Sequence, residues 1–168
     1  MKTKTINLYE FDELSDQAKQ RAIANNCGIN VDYWEWYHSV YDDAETIGLQ
    51  ITGFDLDRNR HCTGKAIDDV LTIAHKIKTE HGFDTPTYEL ANEFIKDYAA
   101  LDEDIDAGEL RDFENEFLKS ILEEYSILLQ REYEWLTSEE AITDVLRSGE
   151  YEFLEDGSFN DTFNQNEQ

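Results

Sequence analysis

Basic residues are scarce in this chain: 14 lysines and arginines stand against 39 aspartates and glutamates, a formal charge of −25 over 168 residues. Nucleic acid and anionic membrane are bound through cationic footprints, so neither is expected as a direct partner. Cysteine is equally sparse. Cys27 and Cys62 form no CxxC and no paired spacing, which fits a reducing cytosol better than a disulfide framework. No apolar run approaches the ~18 residues that a membrane span needs. The start "MKTKTINLYEF" has lysines but no apolar h-region, which reads as no signal peptide. No internal repeat and no long linker divides the chain.

Motifs that carry chemistry are missing as well. HExxH, GxSxG, a Walker loop and GxGxxG are all absent. His38, His61, His75 and His81 lack metal-ligand spacing and read as surface or capping residues. His61 and Cys62 are neighbours in a predicted strand and point to opposite faces, which disfavours a nucleophile–base pair. These absences predict a soluble, non-enzymatic protein with no cofactor, no metal and no catalytic residue.

What the chain does contain is amphipathic order. Apolar content of 40% with 12% aromatic predicts a folded globule rather than an acidic tail. A strand is expected over 5–11, then a helix opened by Ser15 and ending near Cys27 and Gly28. Residues 49–67 alternate around a polar turn at 58–60 and predict a β-hairpin. Further helices are expected over 68–82, closed by Gly82, and from Pro86 to about residue 101. Another should run over 109–136, with apolar positions at i, i+3 and i+4 spacing. Thr137 and Glu140 fit a capping box for a last helix, stopped by Gly149. A short strand and turn follow at 151–157. The expected fold is α+β and predominantly helical, with amphipathic helices packed on a small antiparallel hairpin. It forms one domain over 1–157, with a flexible tail at 158–168.

The stretch "VDYWEWYHSVYDDAETIG" at 31–48 mixes large aromatics with five acids. On a helical wheel of about 100° per residue the two kinds separate. Tyr33, Trp34, Trp36, Tyr37, Val40, Tyr41, Ala44 and Ile47 share one arc, which predicts a core face. Asp32, Glu35, Asp42, Asp43 and Glu45 take the solvent side. The long helix repeats this sorting with Glu123 and Glu124 among its acids. Acids three or four residues apart repel by a few tenths of a kcal/mol, and the chain forgoes the lysines that would reverse the sign. Two loops resemble calcium sites, around Asp55, Asp57 and Asn59 and around Asp102, Asp104 and Asp106. In the second, Ala107 sits where the turn needs glycine and Glu114 is one position late, so a solvated acidic loop is expected instead.

Two motifs carry a family resemblance. "INLYEFDELSDQAKQRAI" near the start, through Phe11, Glu13, Leu14, Ser15, Ala18, Lys19, Ala22 and Ile23, is similar to the opening of a family of small acidic bacteriophage proteins, often labelled antitoxin-like. "YEFLEDG" near the end, through Tyr151, Glu152, Phe153, Glu155, Asp156 and Gly157, resembles that family's close. The resemblance implies phage origin and a place in the cytoplasm of a bacterial host. Charge and size, without a shared motif, are also similar to DNA-mimic anti-defence inhibitors. The expectation is therefore a counter-defence protein that binds a basic nucleic-acid-binding protein or complex of the host, such as a CRISPR effector or restriction nuclease. The expected contacts are Asp32, Glu35, Asp42, Asp43, Glu123 and Glu124, with Asp102, Asp104 and Asp106. The alternative is an antitoxin or regulatory protein that masks a basic toxin or host factor.

Overall fold

Ser15, Asp69, Thr85 and Ser138 each accept a hydrogen bond from the backbone N–H three residues on, and each opens a helix. In the computed structural model, which describes residues 5–32 and 34–160, the helices are α1 (Asp16–Asn25), α2 (His38–Thr46), α3 (Val70–Glu80), α4 (Pro86–Tyr98), α5 (Ala107–Leu136) and α6 (Glu139–Ser148). The strands β1 (Leu49–Asp55) and β2 (His61–Ala66) form one antiparallel hairpin. The predominantly helical α+β class is as the periodicity predicts. Tyr33 and tail residues 161–168 lie outside the described residues. The chain divides into two units, Met1–Trp36 with Tyr133–Gln168, and Tyr37–Glu132.

In the first unit, α1 and α6 bury small and aliphatic residues, Ala18 and Ala22 from one and Ile142 and Leu146 from the other. Phe11, Leu14 and Phe153 complete this core. The expected strand over 5–11 does not form. Only Tyr9 pairs, exchanging two 2.9 Å hydrogen bonds with Phe153. Immediately after it, Glu10 and Glu13 close a reciprocal capping box that turns the chain into a 3₁₀ helix, Phe11–Glu13, so no ladder can extend. "YEFLEDG" likewise makes single bridges rather than a strand, because the chain folds back between Leu154 and Ser158. The first residues of the expected frayed tail are held: Phe159 packs its ring 5.1 Å from that of Phe153. The last helix is capped by Ser138, not Thr137. The Thr137 hydroxyl donates instead to the Tyr133 carbonyl at the end of α5, 2.7 Å away.

In the second unit, Ile47, Leu49, Ile73, Ile77, Ala91, Ile121 and Tyr125 are fully buried, joining α2, the hairpin, α3, α4 and α5 in one core. Pro86 occupies the first turn of α4, where its missing N–H costs no helical bond. Phe94 of α4 stacks on Phe113 and Phe117 of α5, with centroids 5.0 and 4.2 Å apart. Gly64 lets β2 approach α5 closely, since a Cβ there would meet the Gln50 carbonyl at 2.8 Å and Leu122 Cδ2 at 2.9 Å. Residues 102–106 form the loop before α5. Its last member, Asp106, accepts from the Gly108 N–H at 2.8 Å, so this carboxylate caps the helix.

The aromatic segment departs from the expected helix. α2 begins only at His38, and the Tyr37 side chain at its N-cap does not cap it. Before it the chain turns, with the Trp36 N–H bonded to the Trp34 carbonyl and the Trp34 indole donating to the Asn30 carbonyl at 3.0 Å. Consecutive aromatics lose χ1 freedom in a helix, and here they find better partners outside one. Trp36 packs 5.7 Å from Tyr133, whereas Tyr37 and Tyr41 pack on Phe54. Trp34 is 69% exposed and does not face a core. Beyond His38 the wheel holds, with Ala44 and Ile47 buried and Val40 and Tyr41 half-buried.

Candidate acidic interaction surface

The site expected from sequence separates into groups with different surroundings. Asp32 and Glu35 are exposed in the turns that follow α1, in the first unit, and do not share a helical face with Asp42 and Asp43. Asp42 is exposed on α2, and Asp102 and Asp104 are exposed in their loop. Asp106 is a helix cap. Glu123 is paired: Arg60 Nη2 lies 2.5 Å from it, while Arg60 Nε donates to the buried Ser126 hydroxyl at 3.2 Å. The turn of the hairpin thus reaches α5 and neutralises one of the expected contacts.

The second unit brings together carboxylates that the sequence reading did not join. Glu93 and Asp97 on α4, one turn apart, face Glu116, Glu123 and Glu124 on α5 across an open groove of about 640 Å³. Its floor is aromatic and aliphatic, with Leu90, Phe94, Phe113 and Phe117, and Lys119 is its one lining lysine among the described residues. In sequence Glu93 and Asp97 look like an ordinary solvated face of α4. The i, i+4 spacing was the available signal. What it could not show was the α5 row opposite.

Asp43 has a different role. Its Oδ2 accepts from the Tyr125 hydroxyl at 2.7 Å and lies 3.4 Å from His81 Nε2. The distance allows a close charge approach, but Nε2 is buried and has no aligned hydrogen bond. The other ring nitrogen, Nδ1, is 2.7 Å from Thr87 Oγ1, which lies 3.2 Å from Thr85 Oγ1. The chain of hydroxyls ends at the Gly82 carbonyl, to which Thr85 donates at 2.7 Å. His81 holds the Asp43 carboxyl below the usual carboxylate range, and Tyr125 adds to this against the opposing effect of burial. Burial first, and then the Asp43 carboxylate, push the Tyr125 hydroxyl well above its ordinary value. His81, read from sequence as a surface or capping residue, is largely buried, with only 9% of its side chain exposed.

This network borders a second cavity, about 510 Å³, between α2, the α3–α4 connection and α5. Val40, Ile127 and Leu128 give it an apolar wall. Glu80, Asp84, Glu124 and Glu132 surround it with charge. Thr87, nearest the ring, is 5% exposed and so is closed to substrates. Among the described residues no cluster of three or more His, Cys, Asp or Glu is arranged to hold a metal ion, and no helix is long and apolar enough to cross a membrane. Compared with protein-family models, curated proteins and solved structures, the chain matches none.

Proposed function

We propose that this chain is a non-enzymatic bacteriophage counter-defence protein, which binds a basic nucleic-acid-binding complex of the bacterial host and blocks its DNA channel by acidic mimicry. A CRISPR effector or a restriction nuclease has the required surface. The observation that carries the reading is the pair of carboxylate rows on α4 and α5, facing each other across one groove with a single lysine between them. Glu93 and Asp97 are about 6 Å apart along their helix, and Glu116 and the unneutralised Glu124 about 12 Å, at 1.5 Å per residue. Duplex DNA presents one phosphate per ~3.4 Å of helix axis on each strand, so measured along the axis the rows are sparser than a duplex but reach several phosphate-binding lysines and arginines at once. Complementary potentials of this kind speed association and make it salt-sensitive.

The test begins with capture of the target from a bacterial lysate at low and moderate salt. The target's DNA binding is then measured against wild type and against a Glu93→Gln, Asp97→Asn, Glu116→Gln variant. Wild type and DNA should exclude one another. The variant keeps side-chain volume and relieves repulsion, so it should fold normally. It should release the target faster, with a shallower salt dependence. A target that holds DNA and this protein together removes the mimicry reading and leaves the antitoxin-like one in its place.

A further inference from the structure

The stretch "TINLY" at 5–9 is uncharged and rich in β-formers, yet only Tyr9 finds a strand partner. Successive residues of an extended chain bond to opposite sides. Tyr9 exchanges both of its backbone bonds with Phe153, so the N–H and C=O of Leu8, and of Ile6 before it, face the outer edge. Among the described residues Thr5, Ile6, Asn7 and Leu8 make no hydrogen bond. The free edge ends at Leu8, because the Glu10 N–H donates to the Glu13 carboxylate at 2.9 Å and its C=O accepts from the Glu13 N–H at 3.1 Å. Ile6 and Leu8 are 46% and 39% exposed, and Leu8 lines an open cavity of about 530 Å³ with Leu146 and Tyr151. An edge with unpaired backbone, exposed aliphatics and no charge or proline is a template for another strand.

We propose that this edge pairs antiparallel with the same edge of a second copy, centred on Asn7, to give a symmetric homodimer. The segment is complementary to itself in that register. Ile6 stands opposite Leu8 of the second copy and exchanges both backbone bonds with it, and the two-fold axis repeats the pair. Directly opposed side chains share a face, so Ile6 of one copy covers the cavity that Leu8 of the other lines. One step further out, Lys4 stands opposite Glu10, a pairing of opposite charges. A strand from a basic partner would instead meet Lys2 and Lys4 of this segment, which disfavours it here. The inference therefore goes beyond the basic-partner reading and does not depend on it. Two chains of charge −25 repel at long range, so salt should strengthen the dimer, whereas salt weakens association with a basic partner.

The test is the mass of the full chain in solution, followed by sedimentation and light scattering up to about 1 mM, since so short an edge makes a weak interface. The dimer fraction should rise with concentration, and should rise again from about 50 to about 500 mM sodium chloride. At high concentration amide exchange should slow at Ile6 and Leu8 but not at Asn7, whose N–H faces the other way. Ile6→Pro removes an outward donor and should abolish the dimer, while the monomer, in which that N–H is unbonded, keeps its urea midpoint. Lys4→Glu sets like charges opposite each other and should weaken the dimer about tenfold. Ile67→Thr, which trims an aliphatic side chain 55% exposed on the second unit, should leave it unchanged. A chain that stays monomeric to about 1 mM at both salt concentrations overturns the proposal. A dimer that survives Ile6→Pro, or slowing of Asn7 equal to that of its neighbours, overturns it too. None of these results alters the competition with DNA, which tests the basic-partner reading separately.

Discussion

The carbonyl oxygen of Ala18 stands where a side chain on Gly157 would begin. Gly157 has φ +88°, in the left-handed region that disfavours residues with a Cβ, and its neighbour is helix backbone, which cannot swing aside. The opening segment around α1 and the closing segment 151–157 therefore meet at this point. Gly157→Ala should lower the unfolding free energy, read from urea denaturation, by more than the ~1 kcal/mol usual for the backbone conformation alone. Gly53→Ala, whose Cβ would have its nearest contact at an ordinary 3.5 Å, is the control. Equal midpoints for the two variants would show that the close approach is absent in solution.

The split of the aromatic segment has its own test. Trp34 is 69% exposed, while Ile121 is fully buried in the second core. Trp34→Ala should change stability by less than about 1 kcal/mol, whereas Ile121→Ala should cost about 2–5 kcal/mol. Urea unfolding of both variants checks it. A Trp34→Ala loss as large as that of Ile121→Ala would restore the continuous helix over 31–47.

Acid should weaken the contact between Asp43 and Tyr125. The folded carboxyl titrates below its ordinary value, so its contribution to stability is fully present above the unfolded pKa of ~3.9. It is lost as pH falls through the lower, folded value. Asp69 and Asp156 are shifted in the same direction by bonds from Thr72 and Ser158, so they add to the same slope. Asp43→Asn should leave a shallower fall in urea midpoint as pH drops below about 4. An unchanged slope would mean that the Asp43 carboxylate gains nothing from His81 and Tyr125.

The two thiols should react at very different rates. Burial pushes the Cys62 thiol up to about 11, whereas Cys27 is exposed. At pH 8 a thiol of that pKa is ionised to roughly one part in a thousand, and the thiolate is the nucleophile. Alkylation of the native protein followed by peptide mass analysis should find Cys27 modified first and Cys62 only on long exposure. In urea the two rates should converge.

The features legible in the sequence are those decided within a few residues. Ser15 and Pro86 mark helix starts because a cap is a bond between neighbours, and residues 49–67 read as a hairpin because alternation and turn lie side by side. Composition alone determined the charge and, through missing lysines and arginines, its sign. Tertiary structure decided which acids come together. Asp43 and Tyr125 are 82 positions apart, as the hydrogen bond between them records, and no local pattern links them. Glu93 and Asp97 became one wall of a groove only when Phe94 stacked on Phe113 and Phe117 and set α4 beside α5. Helical periodicity in residues 31–37 was real as a pattern. It failed as a structure because Trp36 found Tyr133 and the Trp34 indole found the Asn30 carbonyl, contacts whose free energy exceeds the weak helical preference of consecutive aromatic residues.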